Sequence, residues 1–265
     1  MINIYRPVFK NIEREFISLT ENIHIDDSQL SVYSSKISDL ILRSASEIES
    51  IAKELYLQNW WSKKDPKDIY FDNDAIKLLN SKRSLDKKIV ILSHYNCFLN
   101  NNVFRPFNKI EKWNKPYQWL KHNRWNNIQK WNIKVLINIL SALYILNIYY
   151  QDIIFELWND YQLINFDKSI WSSIFEIQIH NCALIYTTYF KADNFDNSIY
   201  LSVLNQESYD KAANLLNDVA FKINSTEINQ KNLQKIIDEY IINTLKKNNI
   251  FINSNYKAVL NKNQF

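Results

Sequence analysis

The sequence contains no glycine among its 265 residues, and this absence excludes several common site motifs. A phosphate-cradling P-loop, a dinucleotide-binding fingerprint and a serine nucleophile elbow all need glycine where a side chain would clash. Turns and helix ends that require positive φ are therefore expected to fall largely to asparagine, which tolerates that region better than other non-glycine residues. The abundance of Asn, Ile and Lys equally suits a codon bias toward A and T, so the absence of glycine need not have a functional cause.

Cysteine is also scarce, with only Cys97 and Cys182 present. Two thiols cannot build a disulfide framework or a four-cysteine zinc cluster. Cys97 follows His94 by three residues, but in a predicted strand that spacing points the two side chains to opposite faces. We therefore expect no metal, no cofactor and a reducing, cytoplasmic location. The first ten residues lack the apolar core and cleavage site of a secretory signal.

Long hydrophobic runs and strong charge are missing as well. The most apolar stretch, 135–150, is short for a membrane span and contains Asn138, Ser141 and Asn147, which favours a buried helix and no membrane association. The net charge of +4 is too mild to identify a nucleic-acid-binding protein. A composition of 46% hydrophobic residues, 14% of the chain being aromatic, predicts a packed core.

Apolar residues at intervals of three and four predict amphipathic helices in the first half of the chain. We predict helices over residues 7–23, 28–58 and 72–84. A run of branched apolar residues predicts a buried strand within 88–99, followed by a loop over 100–113. A long buried helix is expected to open at Pro116, since proline suits the first helical turn, and to reach about Trp158.

Beyond Asp167 the apolar period shortens and predicts a small antiparallel meander. Its three strands are expected within 173–180, 183–190 and 198–204, followed by helices over 207–223 and 227–248 and a loose tail over 253–265. The predicted fold class is mainly α. We expect a helical bundle over 1–166, with a strand and loop insertion near 87–113, and a minor C-terminal β meander plus two helices over 167–265.

One local cluster of charge stands out against this mild background. Between positions 105 and 130 a single acid, Glu111, is outnumbered by seven basic residues: Arg105, Lys109, Lys112, Lys115, Lys121, Arg124 and Lys130. Tryptophans at 113, 119, 125 and 131 interleave with them, as in platforms that stack unpaired bases. Six residues is not a helical repeat, so packing in a core or interface is the alternative for these rings. A solvated face is the alternative for the basic residues.

His122 is the leading candidate for chemistry. It lies near the predicted start of the long helix, between Lys121 and Arg124, and neighbouring cations favour the neutral imidazole that can act as a general base. A surface histidine in a basic patch is the alternative. On an earlier helix, Arg43 and Glu47 are one turn apart and share a face.

The segment 113–124, WNKPYQWLKHNR, resembles the aromatic, Lys-His, Asp-or-Asn, Arg pattern of HEPN-like helical proteins. Many of these belong to prokaryotic defence and toxin systems. Residues 42–53 resemble their charged early helix, so the resemblance covers about 30–155. It implies a homodimer that assembles a metal-independent endoribonuclease site. In active members four to six residues separate an arginine from the histidine; Lys115, with six residues between it and His122, stands in that place here and lacks the planar guanidinium fork.

The resemblance also implies roles for individual residues. His122 would abstract the ribose 2′ proton while Lys115 and Arg124 stabilise the pentavalent phosphate, with Glu47 or Arg43 orienting the group. The residues expected to contact RNA are Lys121, Asn123, Lys112, Trp119 and Trp125. The expected partners are RNA, a second copy of the chain and a cognate protein. The alternative function is a non-catalytic helical module that dimerises or binds a protein partner.

Overall fold

The computed structural model describes residues 3–58, 65–108, 128–157, 166–181, 195–214, 243, 247 and 254–263. The helices in these ranges are α1 Tyr5–Asn22, α2 Ser35–Gln58, α3 Lys77–Arg83 and α4 Ile133–Gln151, and residues 206–214 are also helical. The strands are β1 Ile25–Asp26, β2 Val90–Leu92, β3 Cys97–Phe98, β4 Val103–Phe104, β5 Phe155–Leu157, β6 Phe175–Ile177, β7 Ile179–Asn181, β8 Tyr200–Leu204 and β9 Tyr256–Leu260. Shorter helical turns are Pro66–Asp68, Leu85–Lys87 and Ile128–Lys130, and a π-helical turn, Phe71–Ile76, leads into α3.

Three helices, α1, α2 and α4, form the helical part of the core. The predicted apolar stripe of α2 is buried, for example through Leu40, and that of α1 is buried at Ile12 and Phe16 and partly buried at its other positions. α4 is buried continuously from Leu136 to Tyr149. By length and composition α4 could also cross a membrane, but 83% of its most apolar window is buried inside the protein, which is the position of a core helix.

The long helix begins later than predicted. α4 starts at Ile133, after Asn132 adopts an extended conformation and its Oδ1 accepts a hydrogen bond from the Val135 N–H at 3.2 Å. Because Asn132 also bridges to Tyr33, one continuous helix from Pro116 is ruled out. The predicted first turns of that helix, including residues 121–124, lie outside the described residues. At its other end the helix stops at Gln151, and β5 follows where helix was predicted.

The predicted mainly α helical bundle is wrong, because the fold is a mixed α and β architecture. The described strands form three sheets, with the orders β1-β3, β4-β2-β6 and β5-β9-β8-β7. The predicted strand within 88–99 is the central strand β2 of the second sheet, not an insertion, and Val90 is fully buried. Strands of two or three residues are too short to show the alternation that reveals a strand in sequence.

The C-terminal region differs most from expectation. β7 and β8 run parallel, and β6 belongs to a different sheet from β7, so no meander forms from them. The predicted loose tail contains β9, which lies between β5 and β8 and buries Tyr256, Ala258 and Leu260. The strand predicted over 183–190 lies outside the described residues, as does almost all of the helix predicted over 227–248.

Hydrogen-bonded strands join the two halves of the chain on either side of residue 167. β2 pairs with β6, and β5 pairs with β9. One hydrophobic cluster contains Phe16 of α1, Leu143 of α4, Tyr200 of β8 and Leu260 of β9. The helices and both larger sheets therefore share a core.

Positive φ is not confined to asparagine, contrary to expectation. Among the described residues it occurs at Ser84, Asp152, Ile170, Trp171 and Asn263. Ser84 and Asp152 end α3 and α4, where glycine is usual. Small or polar side chains that can hydrogen-bond locally therefore replace glycine at these two helix ends.

Polar contacts fasten the residues that follow β9. The fully buried Lys88 donates through Nζ to the Asp196 carbonyl at 2.8 Å and to Asn263 Oδ1 at 2.6 Å. Burial lowers the pKa of Lys88 to about 7. Asn261 Nδ2 donates to the carbonyls of Phe195 and Ser198, in the turn that contains Asp196. The backbone carbonyl of Asn261 accepts from the Tyr149 hydroxyl at 2.7 Å. Residues 261–263 are thus tied to Lys88 just before β2, to α4 and to the turn before β8.

Ending the chain at residue 254 should destroy the four-stranded sheet, because β5 and β8 make their antiparallel pairs with β9. We expect loss of the near-UV circular dichroism signal and of a cooperative urea transition. The matched control is Lys262→Ala, which removes only the surface ion pair with Asp152 at 2.6 Å and should cost at most about 1 kcal/mol. A truncated chain that unfolds at the parent's midpoint would contradict the buried position of β9.

Candidate functional site

Most of the site residues predicted from sequence lie outside the described residues: His122, Lys115, Arg124, Lys121, Asn123, Lys112, Trp119 and Trp125. Arg43 and Glu47 are described. Arg43 is engaged by two acids, with Nη2 2.6 Å from Glu15 Oε1 and Nε 3.1 Å from Asp39 Oδ2. Burial raises the pKa of Glu47, which lies one turn further along α2.

The basic stretch has described residues at both ends. Arg105 follows β4 and Lys130 precedes α4, and both are exposed. Segment 25–33 touches the chain near each end, because β1 pairs with β3 and the Ile133 N–H donates to the Val32 carbonyl at 3.0 Å. Segment 25–33 therefore contacts the chain at β3, before Arg105, and at the start of α4, after Lys130.

Exposed aromatic side chains lie beside this segment, on the connection from β2 to β4. We call residues 93–102 the aromatic loop. Tyr95 is 71% exposed and Phe98 is 61% exposed, although both are large rings. The exposed His24 ring meets Phe98 edge to face with centroids 5.8 Å apart, and the His94 ring lies 4.4 Å from the Tyr95 ring.

Hydrogen bonds hold the aromatic loop in one conformation. Asn100 donates its backbone and side-chain N–H groups to Asp27, which lies just after β1. Asn101 Oδ1 accepts from the Val103 N–H at 3.1 Å, and Asn102 Nδ2 donates to the Leu92 carbonyl at 3.1 Å. The backbone that follows the exposed rings is therefore held by hydrogen bonds at Asn100, Asn101 and Asn102.

His94 lies beneath the exposed rings and is itself buried, at 5% exposure. Its Nδ1 accepts a hydrogen bond from the Asn96 N–H at 3.3 Å, which assigns the proton of the neutral ring to Nε2. Burial lowers the pKa of His94, while the carboxylates of Glu13 and Glu21 act in the opposite direction. The imidazole is consequently neutral near pH 7.

Glu13 fastens α1 beside the aromatic loop. Its buried carboxylate accepts hydrogen bonds at Oε1 from the Ser172 hydroxyl at 2.5 Å and from the Ser173 N–H at 2.7 Å. Lys10 Nζ donates to Oε2 at 2.6 Å. Three donors on one buried carboxylate describe a structural clamp rather than a general base, because the oxygens are already engaged.

The turn that presents these two serines carries backbone strain. Ile170 and Trp171 have φ values of 29° and 69°, a region that bulky and β-branched residues avoid. The Tyr144 hydroxyl donates to the Ile170 carbonyl at 3.2 Å, and the Arg6 guanidinium lies 4.5 Å from the Trp171 ring centroid. The turn adjoins the aromatic loop, since Ser93 N–H donates to the Ile174 carbonyl at 2.9 Å. Strain of this kind costs of order 1–3 kcal/mol per residue and is often retained at functional sites.

The described part of the chain contains neither a cluster of metal ligands nor an activated thiol. No group of three or more His, Cys, Asp or Glu side chains that could hold a metal occurs there. Cys97 lies in β3, and burial raises the pKa of its thiol to about 11, so the nucleophilic thiolate is disfavoured.

Comparisons with known proteins give no match: no family model, no curated protein and no solved structure matches this chain. The aromatic loop was not predicted from the sequence as a site. A signal was available, since Tyr95 and Phe98 are followed by three asparagines. The predicted buried strand within 88–99 gives no reason to expect these rings at the surface, and only the fold shows that they face solvent.

Replacing Glu13 with glutamine should destabilise the protein by about 2–4 kcal/mol, because the charged acceptor of three donors is lost inside the core. The midpoint of urea unfolding measures this change, provided that the dependence of the unfolding free energy on urea concentration is the same in both proteins. Glu21→Gln on the exposed face of the same helix is the control and should change stability by less than about 0.5 kcal/mol. Equal effects of the two substitutions would show that Glu13 is not a clamp.

Proposed function

We propose that this chain binds single-stranded RNA, with the aromatic loop as the platform on which unpaired bases stack. The observation that carries the proposal is the exposure of Tyr95 and Phe98 on a loop held rigid by hydrogen bonds. Base–aromatic stacking contributes about 1–3 kcal/mol per base and tolerates any base sequence. A base covering these rings would also remove apolar surface from water.

Electrostatics supports a contribution from the basic stretch as well. Three acids approach the aromatic loop in the fold: Glu21 acts on His94, Asp26 pairs with Phe98, and Asp27 accepts from Asn100. The loop alone is therefore a poor surface for phosphates. Arg105 begins the basic stretch three residues after the loop ends. The proposal therefore assigns bases to the loop and phosphates to the stretch, which predicts that affinity falls steeply with salt.

The resemblance of residues 113–124 to HEPN-like proteins supports the same class of partner. That resemblance adds a homodimer and cleavage by His122 to the proposal. A protein partner is the competing function, because exposed aromatic rings on a fixed loop also suit a protein interface. The two functions differ in whether RNA binds the aromatic loop to saturation in the absence of any protein partner.

Removing either exposed ring should weaken RNA binding. We expect Tyr95→Ala and Phe98→Ala each to raise the Kd for a fluorescent single-stranded RNA by about 5- to 150-fold, which corresponds to the loss of one stacking contact. Fluorescence anisotropy at low salt measures the Kd. The control is Tyr70→Ala, whose ring is 69% exposed but lies before α3, and which should bind as the parent does.

Three outcomes would contradict RNA binding by the aromatic loop. The parent would fail to bind at low salt, or the duplex form of the RNA would bind as tightly as the single strand, or Tyr70→Ala would weaken binding as much as Tyr95→Ala. Retention of a specific protein at the loop without any RNA affinity would favour the protein-binding function.

Cleavage is tested separately at a defined dimer concentration without added metal. We expect the parent to cleave a mixed RNA panel and His122→Ala to cleave at least about 100-fold more slowly, since a positioned general base contributes that much or more. RNA binding should survive in His122→Ala because the aromatic loop is untouched. Equal cleavage by both proteins would exclude His122 as the base, and no cleavage by either would exclude the nuclease while leaving binding in place.

A further inference from the structure

His94 joins the two ends of a short hydrogen-bonded turn inside the aromatic loop. Its Nδ1 accepts from the Asn96 N–H, and its own carbonyl accepts from the Cys97 N–H at 3.0 Å. The imidazole ring also supports the exposed Tyr95 ring, with the two planes tilted by 34°. The position of one platform ring therefore depends on an imidazole that can be protonated.

We propose that protonation of His94 opens the aromatic loop and weakens RNA binding at acid pH, an inference that rests on the RNA-binding function proposed above. Both ring nitrogens of a protonated imidazole carry hydrogens. Nδ1–H would then face the Asn96 N–H, so that two donors would oppose each other where one hydrogen bond now stands. Either the ring or the backbone at Asn96 has to move.

The effect of His94 protonation reaches Phe98, the second exposed ring, through Asn96. Its carbonyl accepts from the Ile25 N–H at 3.0 Å, directly before the Ile25–Cys97 and Asp26–Phe98 pairs of the β1-β3 sheet. A shift of Asn96 therefore loosens the short sheet that positions Phe98. Both exposed rings lose their fixed place together.

The direction of the pH dependence follows from the groups around His94. In the described part of the chain the charged groups that act on it are Glu13 and Glu21, both on α1, and they favour the charged ring. Burial opposes them more strongly, so the pKa of His94 lies below its ordinary value of 6.5. The unfolded chain then binds the proton more readily than the folded one, and stability is lost as pH falls below about 6.5.

The change in the protein's net charge at acid pH has the opposite effect on RNA affinity. Acidification makes the net charge of the protein more positive, which by itself strengthens binding to an anionic RNA. Weaker binding at acid pH therefore distinguishes an opened loop from a simple change in net charge.

The test compares the parent with His94→Asn between pH 7.5 and 5.0. Asparagine places an acceptor oxygen near the position of Nδ1 but cannot be protonated. In the free protein we expect the NMR signal and the exchange protection of the Asn96 amide to titrate together with the His94 imidazole, and to be constant in His94→Asn. For single-stranded RNA we expect the Kd of the parent to rise about three- to tenfold over this range, and that of the variant not to rise.

Failure of this inference and failure of RNA binding are separable. A parent that binds no RNA at pH 7.5 overturns the proposed function, and the NMR titration of the free protein still decides whether the loop opens. An Asn96 amide that is indifferent to protonation of His94 overturns the loop opening, whatever the RNA does. Equal weakening of binding in parent and His94→Asn overturns the assignment to His94. Because the titration is measured on the parent itself, the decision stands even if the variant fails to fold.

Discussion

The buried carboxylate of Glu13 is the interaction on which the arrangement of this protein depends. It fastens α1 to the turn that leads into β6, and β6 pairs with β2, the central strand of its sheet. A buried charge is tolerable only when donors surround it, and here two serine groups and a lysine do so. Through this contact the helical layer sets the position of the sheet from whose end the aromatic loop projects.

Two of the long helices, α1 and α2, were largely predictable, because each carries a repeating apolar signal over several turns; α4 is buried on all sides and begins at Ile133, not at the predicted Pro116. α1 and α2 were found from their apolar spacing, with α2 starting seven residues later than expected. The sheets were not predictable in the same way. Strands were predicted where β2, β6 and β8 lie, but not how they pair; β5 lies where helix was predicted, and β9 lies in the stretch predicted as a loose tail. Only contacts distant in sequence show that Asn261 and Asn263 hold that stretch in place.

The candidate site illustrates a different limit of sequence reasoning. Charge and motif similarity directed attention to His122, while the loop that displays Tyr95 and Phe98 was interpreted as part of a buried strand. A single apolar residue in a short run does not indicate which side of the backbone faces water. The three asparagines that fix the loop are equally ambiguous in sequence, where they suggest only a turn.

The position of β9 has a consequence for how the protein is made. During translation β5 and β8 leave the ribosome while residues 256–260 are still to be added or still inside the exit tunnel. Until β9 emerges, each of these strands lacks its antiparallel neighbour, and the apolar side chains that it will cover stay open to solvent. The nascent chain thus passes through a period in which it is exposed to chaperones and to aggregation, and that period ends only when β9 is delivered.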